Sequence, residues 1–273
     1  MKGLDMQMKI GFIGCGNMGG ALARAASKAV GGKNIILCDS TEEKAEALAG
    51  EIGAMAVSLS DAAKQSDFLF LGVKPQMLDE LFASLSPMLC KRKKTPVLVS
   101  MAAGISISAI EKMAGCEIRV IRIMPNTPVS VGAGMILYDV NKNVTDADIS
   151  DFLNILSMAG ELDGLDESKI DAASAVSGCG PAYVYMFAEA LADGGVLCGL
   201  PRDKANFYAA QTLMGAAKLL MESGKHAGEL KDAVCSPGGT TIEGVKALEN
   251  GAFRASAMNA VVAAYEKTLK LKK

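Results

Sequence analysis

Ile10-Gly11-Phe12-Ile13-Gly14-Cys15-Gly16-Asn17-Met18-Gly19-Gly20-Ala21 is an apolar run that passes through G-x-G-x-x-G straight into an alanine-rich stretch. The run has the length and composition of a buried strand, and the alanine-rich stretch has those of a helix. Each glycine then has its own task. Gly14 permits the tight turn, Gly16 lets a pyrophosphate approach the backbone, and Gly19 lets helix and strand pack closely, with the helix N-terminus facing the negative charge. Because the motif comes after a strand and opens a helix, it points to dinucleotide binding.

The pattern repeats outward from there. Short aliphatic runs at 9–13, 34–38, 68–73, 97–100 and 119–124, with a weaker one at 54–58, alternate with helical stretches at 18–30, 41–51, 75–85 and 106–113. This is the signature of a doubly wound parallel sheet. After a Pro125-Asn126-Thr127-Pro128 turn come a strand near 135–138, a helix at 146–158 capped by Thr145, and a closing strand around 161–165. Beyond Glu167 the chain reads as helix, punctuated at Gly178-Cys179-Gly180-Pro181, Gly199-Leu200-Pro201, Gly224 and Ser236-Pro237-Gly238-Gly239. The boundary falls near 165, giving domains at 1–165 and 166–273. Helices at 182–197 and 204–222 are apolar nearly all round, so they call for burial against another surface, with a second copy of the chain favoured over the first domain.

Composition narrows the function. Of 273 residues, 50% are hydrophobic and 21% charged, which excludes disorder. Lys+Arg number 28 against 30 Asp+Glu, a formal charge of -2, and no basic stripe extends beyond Lys91-Arg92-Lys93-Lys94 and the Lys-rich tail, so no nucleic-acid partner is expected. Seven scattered cysteines without a C-x-x-C pair read as reduced thiols of a cytoplasmic protein. A single histidine, His226, expected in an exposed connector, leaves no basis for a metal cluster or for Ser-His or Cys-His catalysis. The first apolar run ends in a glycine turn, so no secretory leader is expected. The stretch 181–200 carries Glu189, Asp193 and a Gly194-Gly195 break, and reads as a buried helix and not a membrane span.

Further candidates lie at strand ends. Asp39 stands 25 positions after Gly14 and either accepts hydrogen bonds from a ribose diol or caps the next helix, two compatible readings. Val73-Lys74-Pro75 and Asn126 come after strands at the ligand-binding edge. Lys74 reads as a solvated loop residue or a cofactor contact, and Asn126 as part of a rigid turn or a partner for a nicotinamide amide or ribose. Ser236-Pro237-Gly238-Gly239-Thr240-Thr241 opens a helix, with Thr240 and Glu243 spaced as a capping box and the exposed N–H groups and hydroxyls suited to a carboxylate. Two-domain hydroxyacid dehydrogenases, which share this layout, place a catalytic lysine on the helix after the second-domain glycine turn. None occurs here before Lys204.

These residues resemble the pyrroline-5-carboxylate reductase family along essentially the whole chain, through the 10–19 loop, Val73-Lys74-Pro75, Ala102-Ala103-Gly104, Met124-Pro125-Asn126-Thr127-Pro128, Val176-Ser177-Gly178-Cys179-Gly180-Pro181-Ala182-Tyr183 and the block 230–242. The resemblance implies an α/β fold, an N-terminal Rossmann-type dinucleotide-binding domain followed by an all-α dimerisation domain, with dimers assembled into a larger ring as a further expectation. It implies reduction of pyrroline-5-carboxylate to proline by NADPH or NADH. Carried over by position, Gly14, Gly16, Asn17, Met18 and Gly19 hold the pyrophosphate, and Val73, Lys74, Pro75, Ala102, Ala103 and Asn126 contact ribose and nicotinamide. Ser236, Gly238, Gly239, Thr240 and Thr241 take the substrate carboxylate, and the Thr241 hydroxyl bonds the ring nitrogen. Hydride addition to an imine that arrives protonated, or takes its proton from water, needs no strong acid or base. The chain departs from many family members at Asp39, where small hydroxyl or amide residues are common, and a carboxylate there favours NADH.

Overall fold

A computed structural model describes residues 8–271, so the outermost ends of both expected domains, 1–7 and 272–273, lie outside the described residues. Chain contacts divide it into two compact units: residues up to Gly178 together with the end of the chain from Tyr265, and Cys179–Ala264.

The first unit is built on β1 (Ile10–Ile13), α1 (Asn17–Val30), β2 (Ile35–Cys38), α2 (Glu42–Ile52), β3 (Met55–Ala56), α3 (Leu59–Gln65), β4 (Phe68–Leu71), α4 (Leu78–Leu89), β5 (Val97–Ser100), α5 (Ile107–Ala114), β6 (Arg119–Pro125), β7 (Gly134–Val140), α6 (Asp146–Ile155), β8 (Gly160–Gly164) and α7 (Glu167–Ser177). The eight strands form one sheet in the order β3-β2-β1-β4-β5-β6-β7-β8. All neighbours run parallel except β6 and β7. Every residue of β1, β2, β4 and β5 is buried, as a sheet covered on both faces requires. One core layer joins Leu22, Ala26, Leu48, Phe152 and Ile155 of α1, α2 and α6 to the sheet, and the other joins Ala62, Leu78, Phe82, Leu85 and Ile110 of α3, α4 and α5. Phe12 and Phe70 pair across β1 and β4 and stack with ring centroids 4.5 Å apart.

The strand order reverses between β1, whose chain turns outward to β2, and β4, which starts the other half. An α/β sheet of this kind binds ligands in the crevice at the carboxyl ends of those two strands.

Most expected elements are present with shifted ends. The helix expected at 75–85 begins as a 3-10 turn at Pro75–Met77 and then runs as α4 through Pro87 to Leu89. The helix expected at 146–158 ends at Ile155, and Thr145 caps it with Asp148 in a reciprocal capping box. The second unit holds α8 (Gly180–Leu197), α9 (Arg202–Ser223), α10 (Ala227–Ala233), α11 (Thr240–Asn250) and most of α12 (Phe253–Leu271). Its own buried core is small, consisting of Ala192, Ala205 and Ala209 with Val196 packed against them. Met186, Phe207 and Met214 are exposed at 69%, 63% and 60%, so the apolar faces of α8 and α9 remain open to solvent in one chain. Among the described residues, no helix is long and apolar enough to cross a membrane.

Candidate active site

The turn between β1 and α1 is a close contact of backbones. Gly14 has φ +97°, outside the range most side chains adopt, and its N–H donates to the Cys38 carbonyl at 2.7 Å while Gly72 N–H donates to Ile13 at 2.7 Å. A Cβ on Gly14 would lie 2.8 Å from the Gly72 carbonyl, and one on Gly19 would overlap the Gly14 carbonyl oxygen. Gly16 is different, since a Cβ there would meet nothing within 4 Å. The space above this exposed residue is open. Gly16 is the N-cap of α1 and has no side chain to offer the first-turn N–H groups of Asn17, Met18 and Gly19, which leaves them directed at that space.

A cleft of about 750 Å³ opens beside this turn, lined by Gly14, Gly16, Asp39, Lys44, Val73 and Lys74 among others. Its volume and its open helix terminus suit a nucleotide and its phosphates. Asp39 ties the cleft together: Oδ2 accepts from Cys15 N–H at 2.6 Å and Oδ1 from Thr41 N–H at 2.9 Å. The carboxylate thus joins the glycine loop to the start of α2, and each oxygen keeps a further lone pair for a diol. Thr41, not Asp39 or Ser40, is the N-cap of α2. Burial, then the Asp39 charge, then Cys38 push the Cys15 thiol up to about 12, so it stays neutral. Arg24 is committed to Glu51 through two bonds of 2.6 Å, whereas Lys44 lines the cleft.

The remaining expected residues lie farther along the same sheet edge. Pro75 opens the 3-10 turn after β4, and Ala102, buried, and Ala103, exposed, come after β5. Asn126 comes after β6; its Nδ2 donates to Ser177 O and its Oδ1 accepts from Met135 N–H, both at 2.9 Å. Val57, Ser58 and Leu59, which no motif in the sequence marks, also line the cleft just past β3. The rule that locates ligands beyond β1 and β4 also points to them, since they lie at the end of the strand beside β2.

In the second unit, the segment 236–241 turns tightly. Gly238 has φ +67°, and Gly239 N–H donates to Ser236 O at 3.0 Å. Gly239 is the N-cap of α11, with no side-chain bond to the helix, so Thr240 and Thr241 are its first two residues and are exposed. The spacing of Thr240 and Glu243 therefore makes no capping box, because Thr240 lies one position inside the cap. The first N–H groups of α11 and two hydroxyls are left together, as a carboxylate needs. His226 is an exposed N-cap of α10, its Nδ1 accepting from Gly228 N–H at 3.1 Å.

A sheet in this strand order, with a glycine turn opening a helix at its switch point, defines the first unit as the dinucleotide-binding domain of an oxidoreductase. Comparison with known proteins agrees: residues 9–104 match the family described as NADP oxidoreductase coenzyme F420-dependent, and residues 167–271 match pyrroline-5-carboxylate reductase dimerisation. The chain is 42% identical over 271 residues to pyrroline-5-carboxylate reductase of Escherichia coli (strain K12), covering 98% of this chain and 100% of that one. It is likewise 42% identical over 265 residues to the Pisum sativum enzyme, covering 96% and 95%. Among solved structures, Plasmodium falciparum pyrroline carboxylate reductase with NADP bound superposes with a TM-score of 0.86 at 34% identity, covering 97% of this chain and 98% of that one. The chain belongs to the pyrroline-5-carboxylate reductase family, as the motifs in its sequence imply.

The contrast between glycines yields a prediction. Gly16→Ala should fold with a melting temperature near that of the wild type and raise the Kd for reduced dinucleotide at least about tenfold. Gly19→Ala should lower stability by about 1–3 kcal/mol through overpacking. Thermal melts and dinucleotide titrations check both. A Gly16→Ala protein that binds normally would mean that the phosphates lie elsewhere.

Proposed function

We propose that the chain reduces 1-pyrroline-5-carboxylate to L-proline, with hydride from NADH or NADPH. The observation that carries this reading is 42% identity over 271 residues, nearly the whole of both chains, with a reductase so named. A bound nicotinamide supplies the hydride, and the chain's own residues align the partners. Gly14, Gly16, Asn17, Met18 and Gly19 form the turn that holds the pyrophosphate, with the first-turn N–H groups of Asn17, Met18 and Gly19 facing it. Val73, Lys74, Pro75, Ala102, Ala103 and Asn126 line the way to the nicotinamide. Ser236, Gly238, Gly239, Thr240 and Thr241 hold the substrate carboxylate at the start of α11, and the Thr241 hydroxyl bonds the ring nitrogen. The hydride goes to the imine carbon and the nitrogen holds or gains one proton, leaving an amine. No strong acid is required, so catalysis is alignment and a single supporting dipole.

On this reading residues 1–165 form the dinucleotide domain, and 166–273 the substrate and dimerisation domain. The enzyme is a homodimer, and the dimers assemble into a larger ring. The dimerisation match over 167–271 and the exposed Met186, Phe207 and Met214 support the dimer. Seven free cysteines support a cytoplasmic setting.

Cofactor choice turns on Asp39. Two backbone N–H groups hold its carboxylate at the cleft, where a 2′-phosphate meets a fixed like charge at a cost on the order of 1–3 kcal/mol. Arg24, bound to Glu51, does not offset it. NADH is therefore used at least as well as NADPH.

Three measurements test these readings. Purified protein should turn over pyrroline-5-carboxylate, and Thr241→Ala should lose roughly five- to 150-fold in kcat/KM while Thr241→Ser keeps most activity. Normal turnover by Thr241→Ala would leave that threonine as a helix-start residue only. Asp39→Asn, which keeps an acceptor oxygen but not the charge, should shift the kcat/KM ratio toward NADPH by roughly fivefold or more. A wild-type NADPH preference above about tenfold would refute the Asp39 argument. Sedimentation at micromolar concentration should show a dimer or larger species, and an active monomer would contradict the dimer.

A further inference from the structure

Arg122, in the middle of β6, is buried with its side chain 4% exposed, and it holds two carboxylates of α7: Nη1 donates to Glu167 Oε1 at 2.9 Å and Nη2 to Asp171 Oδ1 at 3.1 Å. Residues four apart share one helix face, so a single guanidinium fork grips the first turns of α7. The same Glu167 oxygen also accepts from Ile107 N–H at 2.8 Å, the first residue of α5 and the end of the loop that carries Ala102 and Ala103. At the other end of α7, the Ser177 carbonyl accepts from Asn126 Nδ2. The loops after β5 and β6 are thus both bonded to one helix, one near each of its ends. On the reductase reading, these two loops form the nicotinamide end of the cofactor site.

Apolar side chains of equal volume would hold a helix as firmly, because burying charges costs about as much as their pairing returns. What the charged arrangement adds is direction, since a guanidinium fork and a carboxylate bond well in few geometries. We propose that Glu167 is a positioning residue for hydride transfer. It keeps the loops after β5 and β6 in register on α7, so that the nicotinamide meets the imine carbon at one fixed distance. The proposal rests on the reductase reading, but its structural half is separately measurable.

The test uses the full-length enzyme. Glu167→Ala should lower kcat with pyrroline-5-carboxylate about tenfold or more, because a small misplacement of reacting groups is expensive in rate. The Kd for NADH and the KM for the imine should stay within about threefold of wild type, since the pyrophosphate and carboxylate sites are untouched. Glu167→Gln keeps an oxygen that accepts from both donors and should stay within about threefold of wild type. Ile107→Pro removes the N–H donor, at a first helical position where proline is tolerated, together with a buried side chain; relative to Ile107→Ala, which trims the side chain and keeps the donor, it should lower kcat by about threefold or more if Glu167→Ala does not fold. Independently of activity, amide exchange in Glu167→Ala should rise together in 102–110 and 167–177. Unchanged kcat in Glu167→Ala, a kcat in Ile107→Pro equal to that of Ile107→Ala, an equal loss of NADH affinity, a Glu167→Gln as impaired as Glu167→Ala, or faster exchange confined to 167–177 would each overturn the proposal. If wild-type protein does not reduce the imine, the functional reading fails, while the paired or confined exchange pattern still decides the clamp.

Discussion

The carbonyl oxygen of Gly14 lies where α1 and the end of β4 meet. A Cβ on Gly72 would come within 2.8 Å of it, and one on Gly19 would overlap it. With side chains absent at all three positions, α1 begins four residues after β1 ends and its first turn lies against the sheet. The N-terminus of α1 then opens over the switch point, and Gly16 leaves room above it. Asp39 secures the same loop from the β2 side through Cys15 N–H, with its other oxygen on the N–H of Thr41, the N-cap residue of α2. The cleft is thus a result of how tightly backbone meets backbone, and the charge at its edge is held by backbone as well.

Periodicity and glycine spacing make most of the sheet legible, because buried parallel strands are short continuous apolar runs and their turns need glycine. The misses have local physical causes. α3 is hard to read because only Leu59, Ala62 and Ala63 mark an apolar face in seven residues, although Ser58 caps it by accepting from Asp61 N–H, a signal present in the sequence. The α4 helix continues through Pro87 to Leu89, where a proline usually marks an end, with Leu89 buried against the sheet. At Ser236–Thr241 the capping spacing is present but Gly239 takes the cap, which leaves the helix start free. The cofactor loop is legible residue by residue. The clamp of Arg122 on Glu167 and Asp171 is not, since those partners are 45 and 49 positions away and nothing local pairs them.

The second half obeys a different logic. Its helices are apolar on faces that the single chain does not bury, and its buried core is three alanines with Val196 packed against them. Such helices are stabilised by association, in agreement with the dimerisation family matched over 167–271. An imine that needs only a hydride and a proton from water asks little of side-chain acids and bases. A chain with one histidine, itself an exposed helix cap, is well matched to that chemistry.

In the proposed reaction a hydride passes directly from a dinucleotide in the glycine-loop cleft to the carbon of a cyclic imine. NADH deuterated at both C4 positions, incubated with the protein and pyrroline-5-carboxylate, tests it by nuclear magnetic resonance of the product. Direct transfer predicts proline carrying one deuterium at the former imine carbon. Proline without deuterium, or no proline at all, would contradict it.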